Sequence, residues 1–349
     1  MNYSLYDYYN GHHNGKKTDK WELYIEAYDA VLTPYRNKEI TLVEIGIQNG
    51  GSLEIWSKFF PNFVKIVGCD INPACNKLIY DKSNIQVIVG DANKDDIANE
   101  IKTITKNKID IFIDDGSHSS SDIIKTFVKY FPSVIDGGVY IIEDLHCSYW
   151  KEFEGGLYNP MSSMAFLKKL SDAINFEHWG NPDKKISDLF HEFGVFLDID
   201  ITQVPFNHIY NVSFYNSVCI IYKKNRTTLG KRIIAGNEQT VVSLDDVLTE
   251  SHAPIQSNNY WSGMIRSPES AYYSNQLLIE HLENEKERFK DEGLLLHHEI
   301  LRMNDEIMLL RKENSILEND NEQKNNYLRE IFDSKSWKLI QYIRKFFKG

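Results

Sequence analysis

Two short segments concentrate the groups able to do chemistry. They are Ile113-Asp114-Asp115-Gly116-Ser117-His118 and Ile142-Glu143-Asp144-Leu145-His146. Each places carboxylates and an imidazole at the end of an apolar run. If both runs are parallel strands of one sheet, their ends open on the same edge, and Asp115, Glu143 and Asp144 converge there. Three carboxylates at one point repel one another unless a cation lies among them. A hard divalent ion such as Mg²⁺ suits all-oxygen ligands and keeps positions open for substrate or water. A hydroxyl bound to such an ion loses its proton more easily and is fixed in place. His118 follows Asp115 by three residues, and an imidazole with an ordinary pKa of about 6.5 suits the task of taking that proton. His146 is a second candidate, as base or substrate contact. Tyr149 and Trp150 are candidate substrate contacts by stacking, although core packing explains two aromatics equally well.

A hydroxyl acceptor needs a donor, and the preceding sequence carries three strand-end motifs that would hold one. The first is Val43-Glu44-Ile45-Gly46-Ile47-Gln48-Asn49-Gly50-Gly51-Ser52. Gly46 permits a tight turn and the close approach of a ligand to backbone. A helix N-terminus at Ser52 can hold a carboxylate through free N–H groups, and Glu44 at the strand end suits an ammonium. Asp70, closing Val67-Gly68-Cys69-Asp70, can accept both hydroxyls of a ribose. Asp91, in Gly90-Asp91-Ala92, can receive an adenine amine. Ammonium, carboxylate, ribose and adenine together describe S-adenosylmethionine. The candidate cofactor contacts are Glu44, Gly46, Asn49, Ser52, Asp70, Asp91, Ala92 and Asp114. A nicotinamide cofactor is disfavoured because the loop lacks a regular GxGxxG.

These motifs need a sheet to align them. Continuous apolar runs at Ile40–Gly46, Val64–Asp70, Ile85–Gly90, Ile109–Asp114 and Gly138–Glu143 suit parallel strands buried on both faces. Stretches such as Leu53–Phe60 and Ser121–Phe131 suit crossover helices, so the pattern predicts a doubly wound α/β domain. Ile209–Phe214 and Val218–Lys223 predict an antiparallel hairpin at the sheet edge, after an insert-like stretch over Trp150–Glu192. The expected whole is a Rossmann-like fold with a mostly parallel seven-stranded sheet, which the motif resemblance described below would make a class I methyltransferase fold. Its expected parts are a helical cap over 1–38, the sheet domain over 39–224 and a linker over 225–275.

The remainder has a different pattern. Leu282, Phe289, Leu296, Met303, Leu310, Leu317 and Ile331 recur at heptad spacing, interrupted by Lys324. A parallel series runs through Ile279, Lys286, Gly293, Ile300, Ile307, Asn314, Asn321 and Leu328. Together they predict a coiled coil over 276–331, hence a homo-oligomer, with Asn314 fixing register in a parallel dimer. A single amphipathic helix is the simpler alternative. Residues 332–349 are expected to form a basic amphipathic tail. The last fifteen residues carry five basic groups and no acid, so residues 1–334 alone hold a charge of −16 against −11 for all 349. Such a segment can lie on an anionic bilayer surface.

The acidic balance argues against a nucleic-acid partner. Cys69, Cys75, Cys147 and Cys219 form no CxxC pair, as expected of reduced, buried thiols in the cytoplasm. The first twenty residues contain no apolar signal-like core, and no stretch approaches about 18 consecutive apolar residues. The expected location is cytoplasmic, peripheral at the inner face of the membrane.

The pieces VEIGIQNGGSL, VGCDINP, GDAN, IDDGSH and GGVYIIEDLHCSYW resemble the metal-dependent sugar O-methyltransferases of class I that act on macrolide sugars. The resemblance runs over about residues 15–224. It implies Mg²⁺ on Asp115, Glu143 and Asp144, and His118 as the base. It also implies that Thr18-Asp19-Lys20, with Tyr24 and Tyr28, lies near the active site. The C-terminal third instead resembles bacterial surface-glycan biosynthesis proteins. The leading expectation is therefore methylation of a sugar hydroxyl on a capsule, O-antigen or related glycan. A small-molecule antibiotic sugar and a non-catalytic scaffold built on the coiled coil are the alternatives.

Overall fold

The computed structural model describes residues 3–225, 228–244, 253–259, 262 and 268–346. The chain divides into two compact units, Met1–Ala271 and Tyr272–Gly349.

The first unit is built on seven strands: β1 Thr41–Ile45, β2 Lys65–Asp70, β3 Ile85–Val89, β4 Ile109–Asp114, β5 Val134–Ile142, β6 Ile209–Tyr215 and β7 Val218–Lys223. Their order across the sheet is β3-β2-β1-β4-β5-β7-β6. The first five run parallel, and β7 pairs antiparallel with both β5 and β6. This is the expected seven-stranded Rossmann-like sheet. The register aligns Ile45 with Asp114 and Asp114 with Ile142, so β1, β4 and β5 end level. The winding direction reverses between β1 and β4, and a doubly wound sheet opens its ligand crevice there.

The apolar runs are continuous because each strand is covered twice. On one face pack the helices α1 (Leu5–Asn10), α2 (Glu22–Leu32) and α3 (Gly51–Phe59), with Tyr24, Tyr28, Trp56, Phe59 and Phe60 fully buried. On the other lie α4 (Asp95–Ile104), α5 (Ser120–Tyr130), α6 (Ser163–Ile174) and α7 (His191–Leu197). There Phe112 lies between Tyr130 and Tyr140, with ring centroids 4.9 and 4.6 Å away. All four cysteines are free and buried.

The N-terminal helices, expected as a cap over 1–38, place their side chains in the core on one face of the sheet. The stretch Trp150–Glu192 is no insert, because α6 buries Phe166, Leu167 and Leu170 in the opposite layer. Its helical period begins only after an Asn- and Pro-containing loop, at Ser163. The linker over 225–275 is irregular where described, but its end already belongs to the next helix.

The second unit holds α8 (Pro268–Asp333), 66 residues long, and α9 (Lys335–Phe346). The helix thus extends beyond the expected 276–331. The heptad side chains from Phe289 to Ile331 are exposed along it, which leaves their partner undefined; those of Ile279 and Leu282 lie outside the described residues. In α9 the Trp337 ring packs 5.3 Å from that of Phe332, and Leu339, Ile340 and Ile343 are exposed beside Lys338, Arg344 and Lys345. Phe347 and Lys348 lie outside the described residues. Among the described residues no helix is long and apolar enough to cross a membrane.

Candidate active site

Two clefts meet at the level ends of β1, β4 and β5. One, of about 310 Å³, is lined by Asp70, Gly90, Asp91, Ala92 and Asp114. The other, of about 440 Å³, is lined by Lys20, Trp21, Tyr24, Glu44, Ser52, Glu143, Asp144 and His146. Gly46, Gln48, Asp115 and His118 line both. Gly46 has φ +81°, and a Cβ there would lie 1.8 Å from the Asp115 carbonyl oxygen. A side chain at 46 would therefore wedge β1 from β4 and fill the junction. Gly46→Ala is expected to cost about 1–3 kcal/mol, measurable as a drop in denaturation midpoint, together with loss of cofactor affinity by calorimetry.

In the smaller cleft Asp70 holds the glycine-rich turn. Its Oδ2 accepts the backbone N–H groups of Ile47 at 3.0 Å and Gln48 at 2.8 Å, and its Oδ1 accepts that of Asn72 at 2.9 Å. Each carboxylate oxygen accepts two bonds, so Oδ2 is filled and one position remains on Oδ1 for a ribose hydroxyl, fewer than the two hydroxyls expected. Asp91 Oδ1 accepts the Asn93 N–H at 2.9 Å. Asp114 is buried, and burial pushes its carboxyl up to about 7. Its Oδ2 accepts no hydrogen bond among the described residues. Asn49 differs from expectation: it is exposed in the turn and lines neither cleft.

In the larger cleft Glu44 is fully buried at the end of β1. Its Oε2 accepts Ser52 Oγ at 2.7 Å and the Trp56 indole N–H at 3.1 Å. Its Oε1 accepts no hydrogen bond among the described residues, and Lys20 Nζ lies 3.9 Å from it. Ser52 is therefore engaged by Glu44, rather than poised alone at the helix start.

The acids at the centre are arranged differently from the simple convergence expected. Lys20, on the strap before α2, has a side chain only 3% exposed. Its ammonium donates to the Asp115 carboxylate and to Glu143 Oε1 and Oε2 at 2.7 and 2.8 Å. Tyr28 donates to Glu143 as well. Glu143 thus turns inward toward the strap. Asp144, in a left-handed conformation with φ +52°, turns outward. Asp144 Oδ1 accepts from Tyr24 at 2.7 Å, and Oδ2 lies 3.5 Å from His118 Nε2. The cation that the cluster demands is in part a lysine of the chain itself. The acid spacing could not indicate this, because Lys20 lies 95 residues from Asp115 in sequence; only the motif resemblance had marked its segment.

One ammonium does not balance the acids. Glu44, Asp114, Asp115 and Glu143 are each pushed up to about 7, in each case chiefly by burial. Asp115, His118 and Asp144 can each offer a ligand atom, all within 4.8 Å of one another. Unbonded oxygens on Glu44 and Asp114, together with this cluster, fit additional positive charge at the junction of the clefts. His118 also sits in the left-handed region, at φ +59°. Burial lowers its pKa, and Asp144 opposes that shift, with Nε2 3.5 Å from the carboxylate. His146 Nδ1 lies 2.6 Å from Ser217 Oγ, at the turn between β6 and β7. Trp150 is exposed, with its ring 4.8 Å from that of His146. Tyr149 is exposed too and lines neither cleft, so core packing explains neither aromatic.

Residues 20–154 match the family model described as Rhamnosyl O-methyltransferase/CmcI. A rhamnosyl tetracenomycin-C 2'-O-methyltransferase of Streptomyces olivaceus is 34% identical over 172 residues, covering 45% of this chain and 43% of that protein. Mycinamicin VI 2''-O-methyltransferase of Micromonospora griseorubida is 37% identical over 161 residues, covering 43% and 39%. The chain therefore spans about two fifths of the length of these curated relatives. Among solved structures, the MycE methyltransferase of the mycinamycin pathway, in complex with Mg and SAH, superposes with a TM-score of 0.52 at 27% identity. That match covers 64% of this chain and 55% of the other. Residues 20–154 are thus similar to the Rhamnosyl O-methyltransferase/CmcI family model, and they lie in a sheet of the Rossmann-like methyltransferase fold.

Proposed function

We propose that the chain transfers a methyl group from S-adenosylmethionine to a sugar hydroxyl. The observation that carries this reading is the junction of the two clefts, where Asp115, His118 and Asp144 gather beside Gly46. Asp70 and Asp91 would take the adenosine end of the cofactor, and Glu44 Oε1 its ammonium. Asp115 and Asp144, with Glu143 behind them, would hold Mg²⁺. When bound, the cofactor would supply an electrophilic methyl and the ion would lower the pKa of the acceptor hydroxyl. Moving a methyl to a hydroxyl forms a C–O bond, breaks a C–S bond and releases one proton. The His118 imidazole would receive that proton, and the resulting imidazolium would be stabilised by the Asp144 carboxylate.

The relatives' names favour the deoxysugar of a small antibiotic-type molecule as acceptor over a surface glycan. One feature supports the glycan reading as a second possibility: the acid-free, basic α9 with its exposed apolar side chains, which suits an anionic bilayer surface. Radiolabelled methyl transfer to methyl α-L-rhamnopyranoside and to a panel of 6-deoxyhexosides, with and without EDTA, tests the main reading. Transfer abolished by EDTA and restored by Mg²⁺ is expected. Cofactor binding without transfer to any sugar would overturn the acceptor class, and transfer insensitive to EDTA would overturn the metal.

A further inference from the structure

The mouth of the larger cleft carries a residue that sequence reasoning left aside. Trp21 caps the N-terminus of α2 next to Lys20, is 65% exposed and lines the cleft together with His118, Asp144 and His146. Trp150, also exposed, stands against His146 from the segment after β5. Single exposed apolar side chains need no explanation. Two indoles from different elements, one lining the cleft and one against its His146, do, because each keeps a large apolar surface in water. The cleft that Trp21 lines also presents Asp115, His118, Asp144 and His146, whose polar groups match hydroxyls. The indole matches something apolar and flat. A pyranose ring offers both, with hydroxyls around its edge and a face of C–H bonds, and aromatic faces carry the partial negative charge that attracts such C–H groups.

We propose that Trp21 is the stacking platform for the acceptor's pyranose ring, and so a specificity-determining residue. The proposal rests on the sugar O-methyltransferase reading and adds to it the surface that selects a sugar. Trp21 belongs to the same strap as Lys20, whose ammonium is bonded to Asp115 and Glu143. The platform is thereby tied to the acids that would hold the metal, and it orients the ring over them.

The test is calorimetric titration of methyl α-L-rhamnopyranoside into the full chain carrying S-adenosylhomocysteine and Mg²⁺. Trp21→Ala is expected to weaken glycoside binding by about 3- to 10-fold. In turnover KM should rise by a similar factor with kcat little changed. Trp21→Phe should recover most of the loss. Binding of S-adenosylhomocysteine should match the unmutated chain, which separates a platform from a prop for the strap. Unchanged glycoside affinity in Trp21→Ala, while transfer to the sugar persists, would overturn the platform and leave the function standing. Equal loss of cofactor binding would assign Trp21 a structural role instead. Saturable binding of catechol but of no glycoside would overturn the sugar class, and the proposed acceptor with it.

Discussion

Replacing His118 with Ala lowers methyl transfer by about 10²–10⁴-fold, the usual contribution of a positioned proton acceptor, and leaves cofactor binding intact. The separation follows from the geometry. The groups assigned to the cofactor's distal parts, Asp70 and Asp91, sit on β2 and just after β3, while His118 lies beyond β4 and faces Asp144. Removing the imidazole deletes the atom that receives the hydroxyl proton but none of the cleft's supports. Asp115→Ala should cause a loss at least as large and should also reduce Mn²⁺ binding, because Asp115 and Asp144 are the carboxylates that would hold the ion. Rapid-quench methyl transfer, paired with calorimetric binding of S-adenosylhomocysteine, measures both. Full activity in His118→Ala would show that the proton leaves by another route, with His146 the next residue to test.

Lys20→Met, assayed without divalent cations, is expected to destabilise the first unit by about 3–5 kcal/mol. That is the range found when one partner of a buried charge cluster is removed. The Met side chain fills most of the volume, so the cost is electrostatic. Three carboxylates, those of Glu44, Asp115 and Glu143, lose the ammonium that neutralises them inside the fold. Against a total stability of about 5–15 kcal/mol this is a large fraction. Lys20→Arg, which keeps the charge, should cost clearly less. Chemical denaturation monitored by far-UV circular dichroism reads both variants. A change below about 1 kcal/mol in Lys20→Met would mean that the carboxylates are neutralised in another way.

The sequence by itself determined the sheet and its chemical edge. Five continuous apolar runs, each ending in Gly or an acid, can pack only as parallel strands covered on both faces. Once they are parallel, Glu44, Asp70, Asp91, Asp115 and Glu143 must share one edge. The local signals at Gly46 and at the Asp115 and Glu143 segments were equally legible, because turn chemistry and strand ends are encoded within a few residues. Tertiary structure decided what depends on distant chain and on backbone angles. Lys20 neutralises acids 95 and 123 residues away, which no spacing reveals. The neighbours Glu143 and Asp144 part company because Asp144 adopts φ +52°, sending one carboxylate into the core and the other to the mouth. The N-terminal helices and α6 belong to the core because the sheet has two apolar faces, and they join α3, α4, α5 and α7 in the layers that bury them.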